Sequence, residues 1–289
     1  MRFEDFINEE KRGRKLPDVI LEREMRETGV PIELLRREMV KLLNVMLEES
    51  TKQYGKRQRT LSEMAGENGY LMANHRAKML SEFSHTATTV ALSLAESNAA
   101  MGRVVACPTG GACGIVPAVL YALKVHMNAS MDELLNAFIV AGGLGWVIEK
   151  NATISGAEGG CQAEIGTAAA MASALLVYYF THQGERCAHG AAIALKSMLG
   201  LVCDPVGGFV EVPCVKRNGI AVNIAISSAE MALAGIESVI PFDEVVEAMY
   251  RVGRSLPESL RETGMGGIAT TPTARKIVME MKKHKKFKW

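Results

Sequence analysis

The chain has 289 residues, of which 48% are hydrophobic, and its Lys+Arg and Asp+Glu balance to a formal charge of +1. That is ample interior for one large domain or two small ones. The near-neutral balance supplies no electrostatic reason for nucleic acid or an anionic membrane as partner.

Residues 1–10 lack the apolar stretch of a signal peptide. Six cysteines in such a chain argue for free thiols and a cytoplasmic setting rather than a disulfide framework. Residues 1–30 are charge-rich and weakly patterned. Pro31 then opens a helix in which Leu34, Leu35, Leu42, Val45 and Met46 fall near helical spacing, with Arg36, Arg37, Glu38 and Lys41 between them. Residues 51–69 read as a polar loop. The pattern predicts helices over 86–101, 112–126, 131–148, 162–180, 186–200, 220–235, 242–254 and 272–283. Asp132 and Glu133 suit a first helical turn, where negative charge meets the helix dipole. The longest nearly apolar run, residues 165–180, is 16 long. It falls short of the roughly 20 residues that span a bilayer and is expected as a buried helix.

Alternating strand pattern is scarce. Residues 209–215 contain Pro213 and are expected as a short edge strand or an extended loop at most. Ala, Gly and Ser crowd the middle helices and let backbones approach closely. The predicted fold is all-α: a compact bundle with buried Ala/Gly-rich central helices and little or no sheet. It is read as a single catalytic domain over 1–289, with 1–69 a peripheral helical and loop region and 70–289 the catalytic core. Residues 281–289 carry five lysines, read as a solvated tail on the last helix.

Cys161, Cys203 and Cys214 each sit beside glycine or proline, at expected element ends from which a thiolate can be aimed into a cavity. They are candidate metal ligands, and thiolate favours zinc, copper(I) or iron–sulfur. Separations of 42 and 11 residues, with no Cys-x-x-Cys pair, weaken a zinc-ribbon reading. An iron–sulfur cluster is commonly held by four cysteines; with three, one iron lacks a protein ligand and is open as a Lewis acid. The alternative is that all three are small buried hydrophobes. Cys107, Cys113 and Cys187 suit packing, and Cys187 with His189 is a weak ligand pair.

The turn Pro108-Thr109-Gly110-Gly111 precedes an apolar helix and exposes backbone N–H groups to a carboxylate or phosphate, or is a plain helix cap. It is no Walker loop, since Gly-Lys-Ser/Thr is absent. Asn151 to Gly160, with Ser155 and Glu158, is a polar glycine-rich loop suited to a small ligand or to solvent. The scattered histidines form no His-Glu-x-x-His arrangement. No lysine stands in a glycine-rich phosphate context of the kind pyridoxal phosphate needs.

Together, residues 155–164 (SGAEGGCQAE), 200–208 (GLVCDPVGG), 212–218 (VPCVKRN) and 260–273 (LRETGMGGIATTPT) closely resemble the iron–sulfur-dependent L-serine dehydratases. Asn98 to Gly102, Pro108-Thr109 and Gly114 to Pro117 also match. The resemblance runs from about Asn98 to the last helix. It implies the alpha subunit of the two-chain form, a beta partner and further oligomerisation. It also implies a [4Fe-4S] cluster on Cys161, Cys203 and Cys214, with serine bound at the iron that lacks a cysteine. The implied reaction is β-elimination of L-serine to pyruvate and ammonia. Asn98, Thr109, Gly110, Gly111 and Ser155 are expected to bind substrate. The base is unidentified, with Ser155 and Thr109 as candidates. Residues 64–70 depart from the family's Gly-Leu-Thr-Gly-Gly-Asp stretch, and Tyr70 stands where a lysine is expected. Thr109-Gly110-Gly111 likewise varies on the family's Thr-Asn-Gly. These departures leave L-threonine, L-cysteine or another small hydroxy acid open as substrate, and also a helical scaffold or regulatory chain without a cluster.

Overall fold

The computed structural model describes residues 1–283. Among these, thirteen α-helices run in chain order: α1 (Phe3–Lys11), α2 (Leu16–Thr28), α3 (Ile32–Gln53), α4 (Asn68–Ala73), α5 (Glu82–Ala99), α6 (Ile115–His126), α7 (Met131–Asn151), α8 (Gly156–Gly159), α9 (Thr167–Thr181), α10 (Gly184–Lys196), α11 (Cys214–Leu233), α12 (Phe242–Ser255) and α13 (Pro272–Lys283). The only strand-like pairing among the described residues is a one-residue parallel bridge between Cys203 and Arg261. The mainly helical expectation holds. Most of the lysine-rich tail lies outside the described residues.

The central helix is α9, which packs against α7, α10 and α11. Every residue from Thr167 to Tyr178 is buried, because its small and aliphatic side chains meet neighbours on all sides. Burying each Leu or Val there stabilises the fold by roughly 1.5–3 kcal/mol. Small residues set the helix spacing: a Cβ on Gly114 would lie 2.3 Å from the Ala91 carbonyl oxygen, so α5 and α6 meet backbone to backbone only with glycine there. Two helical stretches, Met131–Asn151 and Gln162–Thr181, are long and apolar enough to cross a membrane, more than the 16-residue run suggests. Their most apolar windows are 61% and 83% buried within the protein, which makes them its core. The α7 start bears out the first-turn reading: Ser130 Oγ accepts the Glu133 amide at 3.3 Å, and Glu133 accepts the Ser130 amide at 2.8 Å.

Residues 1–30 hold more structure than their sequence suggests. Phe3, Phe6 and Ile7 bury one face of α1, and Leu16, Val19 and Ile20 bury one face of α2. Phe3 stacks edge-on against Phe6 and Phe242, and Asp243 on α12 accepts the Phe3 amide at 2.8 Å. These helices are short and dense in charge, so their period is faint in the chain. One hydrophobic core runs from Phe3 to Met249.

Between α3 and α4 the predicted polar loop is ordered by two buried carboxylates. Glu96 on α5 accepts the amides of Gly66, Asn68 and Gly69. Glu211 accepts Thr60 Oγ1 at 2.6 Å and the Ser62 amide at 2.7 Å. Tyr70 lies under the Arg57 guanidinium, 4.2 Å from ring centroid to the carbon.

Residues 209–215 form no strand. The Val206 amide bonds the Val212 carbonyl at 2.9 Å and folds the segment into a turn. Helix α11 then starts at Cys214, six residues before the predicted 220. Pro213 serves as its N-cap rather than as a breaker.

Candidate metal centre

Cys161 and Cys214 stand where a helix meets a loop, and Cys203 sits within the segment that follows α10. Cys161 follows Gly160, whose φ of 76° favours glycine, and precedes a π-helical turn, Gln162–Gly166, that leads into α9. Cys203 lies beyond α10, where its amide donates to the Leu260 carbonyl at 2.9 Å and its carbonyl accepts the Glu262 amide at 2.7 Å. Cys214 opens α11. One turn on, Asn218 accepts the Gly114 amide at 3.1 Å and donates to the Gly111 carbonyl at 2.8 Å. The thiol-bearing end of α11 is thereby docked onto the Thr109-Gly110-Gly111 turn.

All three thiols are buried and free. Cys161 and Cys203 lie close enough for their thiols to interact as a hydrogen-bonding pair. That pairing lowers the Cys161 pKa, against the effect of burial and with help from the Arg217 guanidinium. The same pairing, with burial, holds Cys203 protonated far above its ordinary range. Burial, and then the charge on Cys161, push Cys214 up to about 12. The three sulfurs thus share one small, dry region.

Carboxylates border it. A Glu164 oxygen, the Cys203 sulfur and a Glu262 oxygen all lie within 4.8 Å of one another. Thr109 Oγ1 donates to Glu164 Oε1 at 2.8 Å. Burial raises the Glu164 pKa, the Thr109 bond opposes this, and the charge of Glu262 adds to it. A Cβ on Gly156 would sit 2.5 Å from Glu164 Oε2 and 3.3 Å from the Cys203 sulfur, so only glycine keeps this wall open.

The polar candidates fall beside this centre. A Cβ on Gly110 would meet Asn98 Oδ1 at 3.4 Å, and one on Gly111 would meet Glu164 Oε1 at 3.5 Å. Asn98, Thr109, Gly110 and Gly111 therefore form one wall with Glu164. The turn's Ala112 and Cys113 amides bond the Thr109 and Gly110 carbonyls. Half-buried Ser155 immediately precedes Gly156. Its amide donates to Thr153 Oγ1 at 3.1 Å.

The remaining cysteines are core residues. Burial pushes Cys107 and Cys113 up to about 12, and Cys187 also well upward. His189 accepts the Ser238 amide at 3.3 Å through Nδ1, so Cys187 and His189 serve packing and a loop anchor respectively. A surface groove of about 1010 Å³ is lined by none of the three thiols; Leu71, Met72, Leu92, Ile220 and Ile224 make it an apolar trough unsuited to a small zwitterion.

Sequence reasoning missed Glu164, Asp204, Arg217, Asn218 and Glu262. A signal was present for three of them. Glu164 and Arg217 each stand three residues after a candidate cysteine, and Asn218 stands four residues after Cys214, spacings that share one face of a helix.

Three buried thiols from distant segments, a glycine-walled cradle and no disulfide fit a thiolate-held iron–sulfur centre. Fold and site together define a helical enzyme chain built around a thiol-lined centre. A family model described as serine dehydratase alpha chain matches residues 11–269, and the chain belongs to that family. It is similar to the L-serine dehydratase, alpha chain, of Peptoniphilus asaccharolyticus, 43% identical over 276 residues and 94% of each chain. It is also similar to the probable L-serine dehydratase, alpha chain, of Bacillus subtilis (strain 168), 51% identical over 191 residues, which are 66% of this chain and 64% of that one. L-serine dehydratase 1 of Escherichia coli (strain K12) is 46% identical over 181 residues, 62% of this chain and 40% of that longer protein.

Proposed function

We propose that this chain is the cluster-bearing part of a cytoplasmic L-serine dehydratase, a carbon–oxygen lyase that converts L-serine to pyruvate and ammonia and works with a beta chain. What supports the reading is that Cys161, Cys203 and Cys214 are all buried and free and close enough for their charges to interact, with Glu164, held by Thr109, acting on them too. Family membership supports it, as do relatives named L-serine dehydratase alpha chain.

Cys161, Cys203 and Cys214 would hold a [4Fe-4S] cluster. When bound, it supplies a Lewis-acidic iron that eases departure of the β-hydroxyl. The chain's own residues do the rest. The Thr109-Gly110-Gly111 turn holds the substrate carboxylate, with Asn98 beside it and Ser155 as a further polar contact. Of the polar groups at hand, Glu164 suits removal of the α-proton better than Thr109 or Ser155. A carboxylate is basic enough, whereas a neutral hydroxyl is not, and the Thr109 hydroxyl holds Glu164 in place. The electron pair of the broken Cα–H bond forms the Cα=Cβ bond as the Cβ–O bond breaks and hydroxide leaves. Aminoacrylate tautomerises to an imine, and water releases ammonia and pyruvate.

The test is anaerobic purification with the beta chain, iron and sulfide analysis, and assay against L-serine, L-threonine and L-cysteine. Cluster content near stoichiometric with preferential turnover of L-serine is expected. A preference for another amino acid would change the substrate, and absence of iron from active protein would refute the mechanism.

A further inference from the structure

Arg217 on α11 is three residues, just under one turn, past Cys214 and is only 18% exposed along its side chain. Its Nη1 donates to the Val202 carbonyl at 2.7 Å, and its Nη2 donates to Asp204 Oδ1 at 2.9 Å. Those two acceptors flank Cys203 in the chain. The same guanidinium faces the Cys161 sulfur. One planar cation thus stands on the helix that Cys214 opens, bonds both chain neighbours of Cys203, and lies near enough to Cys161 for their charges to interact. The second oxygen of Asp204 accepts the Ile268 amide at 2.8 Å, which ties the motif around residues 260–273 into the same frame. A Cβ on Gly267 would lie 2.3 Å from that oxygen, so the approach is tight.

Two physical needs meet here. A buried set of thiolates carries negative charge that a dry site does not solvate. Three ligands on separate segments must also be held at one spacing before any metal arrives. A guanidinium is permanently charged and has donors fixed in a plane, so it serves both. Lysine keeps the charge but has a single point of attachment.

We infer that Arg217 is a positioning residue for the iron–sulfur centre: it sets the mutual placement of the Cys161, Cys203 and Cys214 segments and offsets the charge of the bound thiolates. Asp204 is its anchor. The inference rests on the cluster reading above and adds a role for a residue that is not itself a ligand.

The test uses wild type, Arg217→Lys, Arg217→Met and Asp204→Asn, purified anaerobically, reconstituted with iron and sulfide, and checked for fold by circular dichroism. Iron loss to a chelator under anaerobic conditions is then timed, and the reduction midpoint of the loaded cluster is measured. Arg217→Met is expected to lose iron at least about tenfold faster than wild type, since outer partners of metal ligands are typically worth 10–100-fold in affinity. Its midpoint should move to lower potential, because a neighbouring positive charge has gone. Arg217→Lys should keep much of the midpoint but lose iron faster than wild type. Asp204→Asn should fall between wild type and Arg217→Met in iron loss. A purely structural arginine would lower thermal stability yet leave midpoint and iron loss of the folded protein at wild-type values, and that result would overturn the inference. If Arg217→Met does not fold, wild-type iron loss in both Arg217→Lys and Asp204→Asn overturns it equally. Wild type that takes up no cluster would instead overturn the cluster reading itself.

Discussion

Glu96 offers a quantitative check on what orders the segment ahead of α4. Its carboxylate is fully buried on α5. One oxygen accepts the Gly66 amide at 3.0 Å, the Asn68 amide at 2.7 Å and Asn68 Nδ2 at 2.7 Å; the other accepts the Gly69 amide at 3.1 Å. Glu96→Gln keeps one acceptor oxygen, which turns toward the three-donor side. Its new amide then faces the Gly69 N–H, donor against donor. One buried N–H is left without an acceptor, at a cost of about 1–3 kcal/mol. Glu96→Ala orphans three backbone amides, nominally ~3–9 kcal/mol. The segment would detach before bearing all of that, so the net loss is limited to roughly 3–4 kcal/mol by local unfolding. At about 2–4 °C per kcal/mol for a chain approaching this size, Glu96→Gln should lower Tm by several degrees and Glu96→Ala by roughly 10 °C. Calorimetry measures the shifts, and amide exchange should lose protection first around residues 58–69. Equal destabilisation by Gln and Ala would refute the bond-by-bond argument, as would unchanged exchange at Gly66 and Gly69 in Glu96→Ala.

Other expectations concern the centre and the N-terminal helices. Cys203→Ala should abolish iron–sulfur absorbance, while Cys187→Ala, a core change in α10, should retain it; ultraviolet–visible spectra of anaerobically reconstituted protein decide between them. Glu164→Gln should lower kcat for L-serine by ~10²–10⁴ with cluster absorbance kept, the range for loss of a general base, and Thr109→Val should cost less because it keeps the base and the turn's backbone while freeing Glu164 to move. Steady-state kinetics beside spectra check both. Burial raises the pKa of Glu10, although the Gly184 amide donates to it at 2.7 Å and pulls the other way. A carboxyl whose folded pKa lies above its unfolded value binds its proton more tightly when folded. Its contribution to stability is therefore full below the unfolded pKa and is lost as pH rises through the folded one. Glu10→Gln should remove that part of the pH dependence, read from urea unfolding between about pH 4 and 7, starting near the ordinary glutamate pKa.

Composition and periodicity were enough to specify a helical bundle with a buried central element, because small and aliphatic residues without a polar stripe leave α9 no solvent face from Thr167 to Tyr178. Glycine and proline beside Cys161, Cys203 and Cys214 marked these thiols as candidates in the sequence, and in the structure they are buried and free, as are Cys107, Cys113 and Cys187. Two helices in residues 1–30 were faint because α1 and α2 are short and charged, and their apolar faces acquire meaning only against Phe242 and α7. The start of α11 was misplaced because proline reads as a stop unless its role as a cap is seen. What tertiary structure alone decided is which residues surround the thiols. Glu164 meets Thr109 across 55 positions, and Arg217 meets Cys161 across as wide a gap, through a π-helical turn and a one-residue bridge that leave no periodic trace. Spacing along a chain encodes local geometry. The charge balance of a buried centre is set by groups that only folding brings within reach.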